Sequence, residues 1–305
     1  MITASLLVLA GLVGLAFGGD WLVRGSVGIA QRMGISNLVT GLVIVGAATS
    51  MPEMVASIQA ALIGSPEIAW GNIAGSNLAN TLLILGAAAL VAPIVLTGAG
   101  RRDAVVALAA SVLMWFIAWQ GYASALVGIG LLALLAAYII WRYRHPRVDD
   151  EGEEEAPSAL WQAIAFFVVG VATLIIGGKL LVDGAVDIAR FAGLSETVIG
   201  LTVVAVGTSL PELAASVAAA LKGKSSLALG NVVGSNIYNI FLIGGATMII
   251  APFPIPRELI DVEMPAVVMT ALMVLLLCWF ANSISRVMGG LLVAGFAVMT
   301  VLFFV

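Results

Sequence analysis

The chain has 305 residues, of which 62% are hydrophobic and 10% charged, and its mean hydropathy is +1.15. Soluble domains are about half apolar and about a quarter charged, and disordered chains are polar, so both classes are excluded. A net charge of −4 from 13 basic and 17 acidic residues leaves no basic nucleic-acid footprint. The one cysteine, Cys278, allows no internal disulfide and weakens redox and structural-zinc readings. It reads as apolar helix filler.

Membrane helices need about 20 mostly apolar residues each. Apolar runs and turn residues predict ten spans, roughly 3–30, 36–62, 68–91, 103–119 and 124–141, then 160–187, 195–221, 225–250, 262–281 and 287–304. The first 19 residues have the apolar run of a signal peptide but no basic start, and the repeat described next includes them, so they are expected in the mature fold.

The chain is internally duplicated. Gly41–Ala60 (GLVIVGAATSMPEMVASIQA) matches Gly200–Ala219 (GLTVVAVGTSLPELAASVAA) at 10 of 20 positions, an offset of 159. GNIAGSNLAN from Gly71 recurs at the same offset as GNVVGSNIYN from Gly230. Gly18, Gly19, Leu22 and Gly25 match Gly177, Gly178, Leu181 and Gly184 in the same register. The chain therefore divides into a first five-helix repeat (1–141), a polar linker (142–159) and a second five-helix repeat (160–305). The linker contains the acidic run Asp149–Glu155, which reads as a solvated loop; it lacks the spaced ligands and glycine of an EF-hand. An odd number of spans per half predicts that the repeats are inverted across the membrane. Ten basic residues fall on the linker side and three, Lys179, Arg190 and Arg257, on the other. The linker is thus expected in the cytoplasm and both termini outside.

Charges inside spans are the informative exceptions. Between Met33 and Pro66 the one charge is Glu53, and between Thr197 and Leu221 it is Glu212. The repeat relates these two. Thr49, Ser50, Glu53 and Ser57 share one helix face, as do Thr208, Ser209, Glu212 and Ser216. Asn72, Ser76 and Asn80 form a second kind of face, repeated by Asn231, Ser235 and Asn239. Carboxylate, hydroxyl and amide oxygens are hard ligands, suited to Ca²⁺ or Na⁺ rather than zinc or copper. Pro52 and Pro211 are expected to break their helices and free carbonyls around Gly46–Thr49 and Ala205–Thr208. Gly207 eases the second break; Ala48 stands at the corresponding place in the first half, which predicts a less open geometry there.

Blander readings compete at each of these positions. A glutamate in a span can simply pair with a cation on another helix, but Lys179 already has Asp183 four residues on as a natural partner. Gly71, Gly75, Gly230 and Gly234 can serve close helix packing. His145 reads as linker surface, and Trp70, Trp115 and Trp141 as packing or interface anchors.

At these residues the sequence resembles the cation/calcium antiporter superfamily, and within it the sodium/calcium exchangers. The family's two repeat motifs are matched by Ala48–Glu53 (ATSMPE) and Gly207–Glu212 (GTSLPE), each followed by a GN-x-x-GSN block at Gly71–Asn77 and Gly230–Asn236. The resemblance implies an antiporter that extrudes one Ca²⁺ against three entering Na⁺. It implies Glu53 and Glu212 as central carboxylates, and Thr49 and Thr208 coordinating through their carbonyls, with Gly46 and Ala205 one turn earlier. Ser50 and Ser209 belong to the same motifs, and Ser76, Ser235, Asn80 and Asn239 complete the sodium sites. Asn239 stands where the potassium-dependent branch carries an aspartate, which argues against potassium co-transport. Two carboxylates then neutralise one Ca²⁺, whereas three Na⁺ leave a residual positive charge, so electrogenic exchange or partial occupancy of the sodium sites is expected.

The expected mechanism is alternating access around a fixed site in the cell (plasma or inner) membrane, with spans one and six sliding as a gating bundle. No cofactor, nucleic acid or obligate protein partner is implied beyond the ions and the bilayer. A channel is disfavoured because the polar residues cluster mid-span between apolar runs. An intramembrane hydrolase is disfavoured because the one histidine lies on the linker. A cation/proton exchanger stays open: protonation of the glutamates could replace Na⁺ binding.

Overall fold

The computed structural model describes residues 2–96, 98, 100–121, 123–145, 159–193, 205–257 and 259–304. Its helices are α1 (Ile2–Met33), α2 (Asn37–Thr49), α3 (Met51–Leu62), α4 (Pro66–Val91), α5 (Arg101–Gln120), α6 (Ala125–Arg144), α7 (Leu160–Phe191), α8 (Leu210–Leu221), α9 (Ser225–Ile250), α10 (Leu259–Phe280) and α11 (Arg286–Phe304). Among the described residues, seven helices are long and apolar enough to cross a membrane, and α2 with α3, bent by 44° at their junction, makes an eighth. α8 and Arg286–Val301 of α11 are shorter apolar helices. The expected start of span seven, 195–204, and the acidic run of the linker lie outside the described residues. A two-residue antiparallel ladder, β1 (Ile94–Val95) with β2 (Ser283–Ile284), adds a minor strand pair to an otherwise helical fold.

Local sequence explains the element ends. Pro66 opens α4 in its first turn, where a missing N–H breaks no helical bond. α3 and α8 end alike, at Gly64 (φ +76°) and Gly223 (φ +69°). In each case the next N–H reaches back over the turn, Ser65 to the Ala60 carbonyl at 2.9 Å and Lys224 to the Ala219 carbonyl at 2.8 Å. This left-handed closure suits glycine, which has no Cβ to clash.

α1 packs along α7 more extensively than any other two elements meet. A Cβ added at Gly11 would lie 2.6 Å from the Leu181 nitrogen and at Gly18 2.9 Å from that of Leu174, and one at Gly25 would run into that of Phe167. From the other side, a Cβ added at Gly170 would lie 2.5 Å from the Leu22 nitrogen and one at Gly184 2.6 Å from the Ala4 carbonyl oxygen. As numbers rise along α1 they fall along α7, so the two helices run antiparallel. Glycines seven apart on both let the backbones touch, which lipid-embedded helices need because apolar burial does little to drive them together. A second interlock joins α2 to α9: a Cβ at Gly234 would lie 2.5 Å from the Leu42 carbonyl oxygen, and one at Gly230 2.6 Å from that of Leu38.

Several expectations change in detail. α6 runs on to Arg144, so Arg142 is not a linker residue; it is buried at 1% exposure and paired through Nε with Asp103 Oδ1 at 3.1 Å. Tyr138 donates its hydroxyl to the same oxygen at 2.9 Å. Lys179 and Asp183 form no ion pair among the described residues. The charge that does bridge elements within α1 is Asp20, which binds Arg24 at 2.9 Å and Lys222, at the end of α8, at 2.8 Å.

The glycine interlock makes a direct prediction. Gly25→Ala should lower the thermal midpoint of the detergent-purified protein, because overpacking a tight contact costs about 1–3 kcal/mol. Gly130→Ala on the exposed face of α6 serves as the comparison. Equal midpoints for the two variants would dismiss the interlock as a source of stability.

Candidate cation site

The two glutamates stand at matching breaks. Ser50, between α2 and α3, has φ −78° and ψ 5°; Ser209, before α8, has φ −90° and ψ 7°. The backbone is alike at Ser50 and Ser209 although Ala48 stands where the second half has Gly207; the approach to the second break, before Ala205, lies outside the described residues. Pro52 and Pro211 lie in the first turn of α3 and α8 and so begin a helix rather than kink an interior. Two expected free carbonyls are engaged: Gly46 accepts the Ser50 N–H at 3.1 Å, and Val206, beside Ala205 in the turn Ala205–Gly207, accepts the Ser209 N–H at 3.2 Å. Each carbonyl keeps a second lone pair. Glu53 and Glu212 fall in the first turns of their helices, where the positive end of the helix dipole favours a carboxylate.

Both glutamates are 1% exposed. Ser209 donates to Glu53 Oε1 at 3.0 Å. Thr49 and Ser50 neighbour Glu212 in turn. The site therefore crosses the halves, each glutamate facing the other half's hydroxyls. Asn72 and Asn231 brace the helices from behind. Asn72 Nδ2 donates to Ser57 Oγ at 2.8 Å and to the Glu53 carbonyl at 3.0 Å. Asn231 Nδ2 donates to Ser216 Oγ at 2.9 Å and to the Glu212 carbonyl at 3.3 Å. Thr49 donates its hydroxyl to the Val45 carbonyl at 3.0 Å and lies 3.3 Å from Asn231 Oδ1. Its own carbonyl, like that of Thr208, flanks the break.

The remaining expected residues come from α4 and α9. Asn239 Nδ2 donates to Ser76 Oγ at 3.0 Å, and Ser76 in turn donates to the Asn72 carbonyl at 2.6 Å. Asn80 Nδ2 donates to Asn236 Oδ1 at 3.1 Å. Ser235 sits against α2, its backbone nitrogen 3.1 Å from where a Cβ at Gly46 would be. Asn80 and Asn239 both lie in π-helical stretches, Ala79–Ile84 and Asn239–Gly244, a local widening that recurs at functional sites.

What these groups share is a surplus of acceptors. Glu53 Oε2, both Glu212 oxygens, Ser50 Oγ, Ser235 Oγ, Asn80 Oδ1 and Asn239 Oδ1 are buried without a hydrogen-bond partner. No ion pair reaches either glutamate among the described residues. Buried polar groups are nearly always satisfied, so a set of unsatisfied oxygens around two carboxylates calls for positive charge. Sequence reasoning missed Asn236 and Thr81, which touch the site from behind: Asn236 Nδ2 donates to Thr81 Oγ1 at 2.9 Å. The third residue of the GSN block was the available signal.

A many-helix membrane fold enclosing a hard-oxygen cluster is the design of a cation transporter. The profile of the sodium/calcium exchanger protein family matches residues 3–144 and 162–305, nearly the whole chain. The chain belongs to this family and is a membrane antiporter of calcium and another cation rather than an enzyme. It is 40% identical over 262 residues to the putative antiporter CaxA of Alkalimonas amylolytica, covering 83% of this chain and 82% of CaxA. It is 32% identical over 350 residues to the sodium/calcium exchanger MaX1 of Methanosarcina acetivorans, spanning 100% of both. A solved structure of the sodium-calcium exchanger NCX_Mj superposes with a TM-score of 0.87 at 32% identity, covering 97% of each chain.

The brace behind the glutamates is testable. Asn231→Leu leaves Ser216 Oγ and the Glu212 carbonyl without their donor, and stranded buried acceptors cost about 1–3 kcal/mol. A fall in thermal midpoint is expected; an unchanged midpoint would dismiss the brace.

Proposed function

We propose that the protein exchanges Na⁺ for Ca²⁺ by alternating access around one site near the membrane midplane, centred on Glu53 and Glu212. The surplus of buried, unpartnered oxygens carries this reading: it fits hard cations and nothing negatively charged. Ser50, Ser209, Ser76, Ser235, Asn80 and Asn239, with the carbonyls of Gly46, Thr49, Ala205 and Thr208, supply the neutral ligands. The carboxylates balance one Ca²⁺; Na⁺ competes for the same oxygens, so only occupied states change sides.

The reading includes ten spans in two inverted five-helix repeats, with residues 142–159 in the cytoplasm of the cell or inner membrane and both termini outside. Its support is the antiparallel course of α1 and α7, which the 159-residue offset relates, together with the basic residues gathered on the linker side. α1 and α7, interlocked backbone to backbone, are the pair that moves as one body against α8 and the rest.

Uptake of radioactive Ca²⁺ into proteoliposomes tests the coupling. An outward Na⁺ gradient is expected to drive uptake, an outward proton gradient is not, and Glu53→Gln should abolish it. Uptake should also rise when a potassium diffusion potential draws positive charge outward, since three Na⁺ leave for each Ca²⁺ entering. Proton-driven uptake would keep the site and change the coupling ion. The moving pair is tested separately with Gly19→Cys and Ala218→Cys in a Cys278→Ala background. The Cβ of residue 19 would start 3.0 Å from that of Ala218, just short of the disulfide range of about 3.5–4.5 Å, so a slight separation of the helices brings the two sulfurs to bonding distance. Oxidation should arrest transport and reduction restore it; transport by the oxidised form would retire the sliding pair.

A further inference from the structure

The 159-residue offset leads one to expect equal hydrogen bonds on the two amide faces of the site, and they are not equal. On one side, Asn239 Nδ2 donates to Ser76 Oγ at 3.0 Å. The corresponding bond would run from Asn80 to Ser235. It is not made: Asn80 Nδ2 donates instead to Asn236 Oδ1 at 3.1 Å, and Ser235 Oγ is left without a partner. All of these groups are buried.

One sequence difference accounts for the asymmetry. Asn236 donates Nδ2 to Thr81 Oγ1 at 2.9 Å, and this fixes its Oδ1 toward Asn80. The position matching Thr81 is Ile240, which offers no acceptor. Asn77, which matches Asn236, therefore donates back to its own helix, to the Ile73 carbonyl at 2.7 Å, and its Oδ1 finds no partner. Without that acceptor in place, Asn239 is held by Ser76.

The consequence falls on the ligands. Ser76 Oγ is committed twice, accepting from Asn239 and donating to the Asn72 carbonyl. Asn80 Oδ1 and Ser235 Oγ are both uncommitted. We infer that Thr81 and Asn236 are positioning residues that hold the Asn80 amide away from Ser235 and so open a two-oxygen cation subsite on that side only. The inference rests on the cation-site reading above and adds to it which amide face binds more tightly, and why. Were Thr81 to lose its oxygen, Asn236 would no longer be fixed. Asn80 could then turn its N–H₂ onto Ser235, as Asn239 does onto Ser76, and a donor would face the cation.

The test is the thermal midpoint of the purified full-length protein titrated with NaCl and, separately, CaCl₂, with choline chloride holding ionic strength constant. Thr81→Val keeps the shape and removes the acceptor; Thr81→Ser keeps the hydroxyl. Loss of a group that orients a ligand typically weakens metal affinity about 10–100-fold. Thr81→Val is therefore expected to raise the half-saturating sodium concentration by about tenfold or more, and Thr81→Ser by less than about twofold. Should Thr81→Val not purify folded, Asn236→Ala read against Asn77→Ala makes the same comparison, and only the first is expected to weaken sodium. Wild-type saturation in Thr81→Val, or in Asn236→Ala, overturns the inference alone. Equal weakening by Thr81→Val and Thr81→Ser also overturns it, by assigning Thr81 a packing role. A wild-type protein stabilised by neither cation overturns the site reading and this inference with it.

Discussion

Two buried carboxylates with no basic partner among the described residues are the constraint on which the rest of the structure depends. Taking a charge out of water costs several kcal/mol even after relaxation, and a protein usually offsets this by pairing it. The same chain does so elsewhere: Asp103 is held by Arg142 and Tyr138 in an equally buried place. Around Glu53 and Glu212 the pairing is withheld. The amide N–H groups nearest the site are spent on neutral acceptors rather than on the carboxylates, those of Asn72 and Asn231 on serines and carbonyls behind it and those of Asn80 and Asn239 on Asn236 and Ser76. Oxygens are what remain inside. Under the proposed function, an oxygen cluster built this way favours the entry of positive charge, which ties occupancy to conformation.

The backbone makes that arrangement possible. Breaks at Ser50 and Ser209 let each glutamate begin a helix, with its carboxylate at the positive end of the helix dipole. Proline in the first turn removes an N–H that would have had no helical partner anyway, so the break is specified at little cost. The π-helical stretches at Ala79–Ile84 and Asn239–Gly244 turn Asn80 and Asn239 in α4 and α9 without ending those helices. Glycine interlocks between α2 and α9 bring the two kinds of polar face within reach of each other.

Much of this was legible in the sequence, because the repeat marks the same positions twice. Most helix positions, the glutamate pair and the polar faces beside it follow from hydropathy, charge and an offset of 159. What was not legible depends on reach across space. Arg142 sits in a basic run that reads as surface, yet its partner Asp103 lies 39 residues earlier on a neighbouring helix. Asp20 and Lys222 meet across some two hundred residues, while the sequence-local pair Lys179 and Asp183 does not form. A π-turn shifts the helical register by one residue, too little for an apolar period to reveal. The role of Asn236 is fixed by Thr81 on the other half, and no spacing within either half contains that relation.

The departures from the repeat bear on function as much as the repeat does. Under the proposed inversion, identical halves would make the inward-open and outward-open states equal in energy, since each half would play the other's part in turn. The halves are not identical. The Asp20–Lys222 bond ties α1 to the end of α8, and the position matching Lys222 is Ile63, which can make no such bond. On one amide face both Asn80 Oδ1 and Ser235 Oγ are left free beside the Thr81–Asn236 bond, whereas on the other, where Ile240 stands, Ser76 Oγ is taken by Asn239. Each difference adds free energy to one arrangement of the helices and not to its counterpart. On the proposed function, then, the duplicated motifs build the site, while the unduplicated residues bias which side it faces and which of its oxygens hold a cation more tightly.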